Sequence, residues 1–216
     1  KALNISGIAA SDKVYDGTTD AGTIDMTGIN LTGLVAGDTV AVATSGTFDT
    51  KNVGVNKTIT LTSINSGADV GNYTISGQAT YSLANITTKA LSAVASAANK
   101  VYDIMTTASA TLSLSGMVGA ETLTTSSVGS TFNDKNVAND KTVTINSANL
   151  GNGANGGLAT NYSLATGQTA LANITQKSLT VSGLTASDKV YDGNTVAALT
   201  GTETVTILGG DTVTLT

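Results

Sequence analysis

Four polar residue types recur in fixed order along this chain, and their spacing is the first hint of what it does. Tyr15, Asp16 and Gly17 stand in "DKVYDGTT" (12–19). Tyr102 and Asp103 stand in "NKVYDIMT" (99–106), and Tyr191, Asp192 and Gly193 in "DKVYDGNT" (188–195). A second word carries Phe48, Lys51 and Asn52 ("FDTKNVG"), and returns with Phe132, Lys135 and Asn136 ("FNDKNVA"). A third carries Tyr73 ("NYTISG") and returns with Tyr162 ("NYSLAT").

Three chemistries fit such residues. Lys beside Asn, with a carboxylic acid in an apolar pocket, can close an isopeptide cross-link, and the recurring acids Asp16 and Asp103 are the candidates for that acid. Scattered Asp residues (12, 16, 20, 25 and 38 in the first copy) could hold calcium, but no D-x-D-x-D-G loop with its distal Glu is present. Surface Tyr with Asp could bind a sugar or a cation. The reading adopted is structural. Tyr is a large core filler with a hydroxyl to satisfy, and Asp-Gly makes a tight turn because Gly accepts positive φ. Ile104 replaces Gly in the second copy, so that turn is expected to differ or to dispense with Gly. Phe48 and Phe132 should anchor strands, and Lys-Asn should form a turn or bulge bonded to backbone.

Enzyme chemistry has little to work with, and no catalytic activity is expected. The chain has no His and no Cys, which removes the commonest general base, metal ligands and thiol nucleophile. There is no G-x-S-x-G, P-loop or H-E-x-x-H word. Two carboxylates could serve a glycosidase, but Glu121 and Glu203 fall in different copies. No cofactor is expected, with calcium the one candidate ion.

The elements that position these words are repeats. Tyr15, Tyr102 and Tyr191 lie 87 and 89 residues apart, and "LANITTKAL" (83–91) returns as "LANITQKSL" (171–179). The units run 1–88, 89–176 and 177–216, the last matching only the N-terminal half of the others. A period this long exceeds that of helical or leucine-rich solenoids and suits a small β domain. Period-2 patterns pair Leu3 with Ile5, Ile59 with Leu61, Val143 with Ile145, Leu91 with Ala93, Leu179 with Val181, and Val213 with Leu215 on one face. No window shows capped helical spacing, and 94–100 reads as loop or a single turn. The expected fold is all-β: small Ig-like or Greek-key-like β-sandwiches in tandem, in an elongated array, with β-grasp-like repeats as the alternative. Ile86 and Leu91 are five residues apart, so the last strand of one unit should hand over directly to the first of the next.

Composition narrows the partners. The 216 residues include 15 acids and 10 Lys with no Arg, a net charge of −5. That balance argues against nucleic acid and against adhesion to anionic lipid. No run of 18 apolar residues exists to span a membrane as a helix. No signal peptide is apparent, and the chain opens in mid-pattern, as expected of a segment of a longer protein. Several N-x-S/T sequons, among them Asn72 and Asn161, would allow glycosylation of a secreted chain.

The ordered set "KVYDGTT", "GD", "KNVG", "NY" and "ANIT-x-K" resembles the YDG-type repeat of large bacterial surface adhesins of the filamentous-haemagglutinin-like class, which are exported through an outer-membrane partner. The resemblance implies a secreted, cell-surface, extracellular stalk or spacer whose partners are neighbouring repeats of the same chain. It carries no catalytic residues to transfer. Such repeats usually have Pro near the junction, where this chain has Thr88 and Gln176. Two alternatives stay open: each repeat binds a glycan or host protein, or the chain is a fibre subunit whose half repeat is completed by a strand from another chain. The covalent alternative has a direct check in the intact mass. The unmodified mass is the expected result, and each Lys–Asn cross-link would remove one ammonia.

Overall fold

The computed structural model describes residues 1–214, apart from the side chain of Ser127. Leu215, expected beside Val213, lies outside the described residues. The chain is all-β: its described elements are strands and two short 3-10 turns, Val70–Asn72 and Ala159–Asn161, with no α-helix among them. By contact it forms two compact units. One comprises 1–94, 113–126 and 149–165; the other comprises 95–112, 127–148 and 166–216.

In the first unit Ala2–Ser6 lies between Asn30–Thr32, antiparallel, and Thr74–Ser76, parallel. Its alternation buries Leu3 and Ile5 completely. A four-stranded sheet follows in the order Lys13–Val14, Tyr81–Thr87, Gly54–Ser66, Ala41–Phe48. The two long strands form a hairpin in register from Ala41↔Ser66 to Phe48↔Ile59. Alternate residues Phe48, Ile59, Leu61, Ala84 and Ile86 face one core with Tyr15, Ala21 and Ile24. Lys13–Val14 joins Tyr81–Thr87 in parallel, with Lys13 opposite Ile86. These parallel pairs tie the start of a repeat to its end, which a plain antiparallel meander would not do.

The second copy reuses this plan. Lys100–Val101 pairs in parallel with Thr169–Thr175, Lys100 standing opposite Ile174. Phe132, Val143, Ala172 and Ile174 form the core of the second unit. The Lys-Asn words end in a β-bulge in both copies. Asn56 (φ 49) and Asp140 (φ 52) carry the left-handed residue, and the side-chain carbonyls of Asn85 and Asn173 accept from their N–H groups, each at 2.8 Å.

Some expectations need correction. Residues 94–100 are not all loop: Ser92–Ala97 is a strand paired with Ala110–Ser115, its half-buried Ala93, Ala95 and Ala97 alternating with the exposed Ser92, Val94 and Ser96, and only 98–99 fall outside a strand. Leu179 and Val181 do not form a buried face. Val181–Ala186 pairs with Leu199–Val205, and the strand is exposed throughout. The direct hand-over is as expected at the first junction but not at the second, where 176–180 form no strand between Thr169–Thr175 and Val181–Ala186. Thr88 alone separates Tyr81–Thr87 from Lys89–Ala90, and Ile86 and Leu91 enter the same core.

The Asp-Gly turns have φ of 79° at Gly17 and 77° at Gly193, and Ile104 adopts the same left-handed conformation at 64°. The turn is therefore conserved within the chain, and the β-branched residue bears the strain. A Cβ at Gly17 would lie 2.7 Å from Val118 Cγ1, whereas one at Gly193 would meet nothing. Gly193→Ala should therefore cost about 1 kcal/mol, the left-handed strain alone. Gly17→Ala should cost about twice that. Equal shifts in urea midpoint for the two variants would show that Val118 gives way freely.

Candidate functional site

Each K-V-Y-D word builds a loop around its own lysine. Lys13 Nζ donates to Asp16 Oδ1 (2.8 Å), Thr18 O (3.0 Å) and Asp20 O (2.6 Å). Lys100 makes the same set with Asp103, Met105 O and Thr107 O, and Lys189 keeps the first two, to Asp192 Oδ1 and Asn194 O. In the first two copies the ammonium also lies 5.5 and 5.6 Å from the ring centroids of Phe48 and Phe132. Both Phe side chains are buried, as expected of anchors. Asp16, Asp103 and Asp192 are exposed and accept a second bond from the N–H two residues on. The Lys100 and Lys189 ammonium groups hold Asp103 and Asp192 below the usual carboxylate range. For Asp16, burial raises the carboxyl, but the bonds from Lys13 and Thr18 outweigh it and lower it. Asp16 is thus engaged with Lys13 at the surface rather than placed as an acid in an apolar pocket.

The tyrosines lead elsewhere. Within the first unit, Tyr15 passes out of the turn into the core, and its hydroxyl donates to Glu121 Oε1 at 2.7 Å. Tyr162 donates to Glu121 Oε2 at 2.6 Å, and Lys51 Nζ donates to Oε1 at 3.0 Å. The Tyr15 and Tyr162 rings meet edge to face, with centroids 5.4 Å apart and planes at 79°. Glu121 is one of four buried polar side chains among the described residues, and another, Asn161, lies alongside. The Asn161 amide donates to Asn52 Oδ1 at 3.0 Å, and its carbonyl accepts from Val53 N–H at 3.0 Å. Tyr15, Lys51 and Asn52 belong to the first sequence repeat; Glu121, Asn161 and Tyr162 belong to the second. The recurring words therefore converge on a joint between consecutive copies. Within it, Lys51 faces a carboxylate rather than an Asn side chain.

The other copies show the same parts in different states of completion. Tyr73 donates to Asp38 Oδ2 at 2.5 Å in the first copy and is only half-buried. In the second unit Tyr102 donates to Asp211 Oδ1 at 3.0 Å, and Lys135 approaches the same oxygen at 3.9 Å. Asn136, unlike Asn52, is exposed; its N–H bonds Asp134. Tyr191 is 94% exposed, so its expected role as core filler does not hold.

In the sequence Glu121 reads only as a glycosidase carboxylate and Asn161 only as a glycosylation sequon, and neither is expected at a joint. Their signal was present: "LVAGDTV", "MVGAETL" and "ILGGDTV" align Asp38, Glu121 and Asp211. An acid at a fixed place in each copy, with recurring Tyr and Lys and no other use, is what a buried ionic joint requires.

Electrostatics follow from this geometry. Burial raises the Glu121 carboxyl, but the bonds from Tyr162, Tyr15 and Lys51 outweigh it and leave the group below the ordinary glutamate value. Burial, and then the facing carboxylate, raise Tyr15 and push Tyr162 up to about 12.

An all-β chain whose repeated residues serve to seat one copy on the next is a tandem-repeat protein. The model of the YDG domain matches residues 1–81, 87–170 and 175–216, and the chain belongs to the YDG domain family. Comparison with curated proteins and with solved structures gives no match.

Glu121 has a lower pKa folded than unfolded, so its contribution is present above about pH 4.3 and fades as pH falls through the folded value. The phenols titrate higher when folded; their contribution is complete below about pH 10 and is lost as pH rises through the folded values, which for Tyr162 is about 12. Glu121→Gln should lower stability at pH 7 by about 1–3 kcal/mol. The gap to the parent chain should narrow at acid pH, as the parent carboxyl also protonates. Melting curves from pH 2 to 7 measure this, and a pH-independent gap would rule out the ionised joint.

Proposed function

We propose that this chain is a run of structural spacer repeats from a secreted bacterial cell-surface adhesin of the filamentous-haemagglutinin-like, two-partner-secreted class. In this reading each YDG repeat is a small β-sandwich, and the repeats stack into an elongated stalk that projects or contributes to adhesion. It has no catalytic role, and its main partners are neighbouring repeats of the same chain.

One observation carries the reading. Within the first unit, the recurring Tyr15, Lys51 and Asn52 of one copy meet Glu121, Asn161 and Tyr162 of the next. Glu121 receives two phenols and an ammonium, and Asn161 is bonded on both sides of its amide. Residues that hold a repeat to its successor suit a spacer, whose task is to keep distance and direction. The family match along the whole length and the loops anchored by Lys13, Lys100 and Lys189 agree with this.

Small-angle scattering of the chain at several concentrations, with and without calcium, tests the proposal. A rod of constant monomer mass, unchanged by calcium, is the expected result. In Glu121→Ala the same measurement should show greater bending. A compact globule, or an equally stiff Glu121→Ala variant, would overturn the spacer reading.

A further inference from the structure

We infer that this chain bears tension, through a shear clamp that the first two copies each build from the recurring A-N-I-T word. "LANIT" stands at 83–87 and again at 171–175, in the last strand of each copy. Its Ile86 and Ile174 are buried in the cores. Its Asn and Thr instead tie that strand to the K-V-Y segment at the start of the same copy.

In the first copy Lys13–Val14 lies parallel to the end of Tyr81–Thr87, with Lys13 opposite Ile86 and Val14 opposite Thr87. Tyr15 N–H donates to Thr87 O at 2.9 Å, and Thr87 Oγ1 donates to Lys13 O at 3.3 Å. Asp12 extends the seam by one residue. Its carboxylate accepts from Asn85 N–H at 2.7 Å and from Asn85 Nδ2 at 2.9 Å. The second copy repeats the seam, with Lys100 opposite Ile174 and Val101 opposite Thr175. Tyr102 N–H donates to Thr175 O at 2.9 Å, and Thr175 Oγ1 donates to Lys100 O at 3.3 Å. Asn99 Oδ1 takes the place of the Asp12 carboxylate and accepts from Asn173 N–H at 2.7 Å. Each A-N-I-T asparagine also reaches a third strand, because its side-chain carbonyl accepts from the bulge residue Asn56 or Asp140.

Direction decides what such a seam does. Tension arriving through residues 1–11 pulls Lys13–Val14 at its N-terminal end. Tension leaving through Thr88 pulls Tyr81–Thr87 at its C-terminal end. In a parallel pair these pulls slide one strand along the other, and the bonds that bridge the strands are strained together. The open ends of an antiparallel hairpin, such as Ala41 and Ser66, would instead part bond by bond. The roughly 70 residues between the clamped strands are shielded from load until the seam gives way. The clamp follows from strand direction and these bonds, and it does not depend on the spacer reading.

The sequence has no Cys, so paired Cys substitutions give unique handles for single-molecule pulling of the full chain. Ser11, Thr19 and Thr88 are all exposed. Pulled from Ser11→Cys and Thr88→Cys, the first copy should open in one step of about 240 Å, from roughly 70 residues at about 3.4 Å each. Pulled from Thr19→Cys and Thr88→Cys, at the same end of both strands, the seam should peel at clearly lower force. Asp12→Ala should speed opening about tenfold in the first direction, because bonds to a charged acceptor are lost. It should leave the second direction nearly unchanged, since that end of the seam parts last. If Asp12→Ala misfolds by circular dichroism, the two directions in the parent chain still decide. Equal rupture forces in the two directions, or an Asp12→Ala effect of one size in both, would overturn the clamp. Either result in a chain that still scatters as a rod would leave the spacer reading standing.

Discussion

A carboxylate withdrawn from water is costly unless donors replace its hydration, and Glu121 meets that requirement with three of them. Two are phenols from different sequence repeats, and the third is the Lys51 ammonium. The bonds are charge-assisted and act on both carboxylate oxygens, so the joint has direction as well as strength. Edge-to-face packing of Tyr15 on Tyr162 supplies the apolar wall that keeps water out. Asn161, fully buried, fixes the neighbouring Asn52–Val53 backbone. Much of the rest of the first unit holds these groups in place: the parallel pairing of Lys13–Val14 aims Tyr15, and that of Lys89–Ala90 positions Tyr162.

The lysines divide the work. Lys13, Lys100 and Lys189 fold back on their own loops, each satisfied by a carboxylate and backbone carbonyls within a few residues. These local bonds form whatever lies beyond, and they appear in all three copies. Lys51 and Lys135 reach the acid of the next copy instead, and their contacts differ: 3.0 Å to Glu121 but 3.9 Å to Asp211. Asp211 is the shorter acid and its side chain is more exposed, 26% against 6% for Glu121, so less is gained from close approach.

Much of the fold was legible. Leu3 with Ile5, Ile59 with Leu61 and Val143 with Ile145 are buried as their alternation implies, because a period of two can place its apolar members only on one face. Phe48 and Phe132 anchor strands, and the Asp-Gly turns have positive φ. The strand over Ser92–Ala97 was missed because alanine alternation gives a weak apolar signal. The exposed Leu179 and Val181 show the converse: an alternating segment is buried only if something covers it.

The sequence by itself determined the repeat, the all-β class, the strand faces and the local loops, since each depends on residues close together or on a short period. Only the tertiary structure decided what the signature residues are for. Tyr15 and Glu121 are 106 residues apart, Asn52 and Asn161 109, and no local pattern links one member of each pair to the other. Identical words therefore have different fates: Tyr15 is buried, Tyr102 half-buried and Tyr191 exposed. Burial is a property of what packs against a residue, and that partner lies in the next copy.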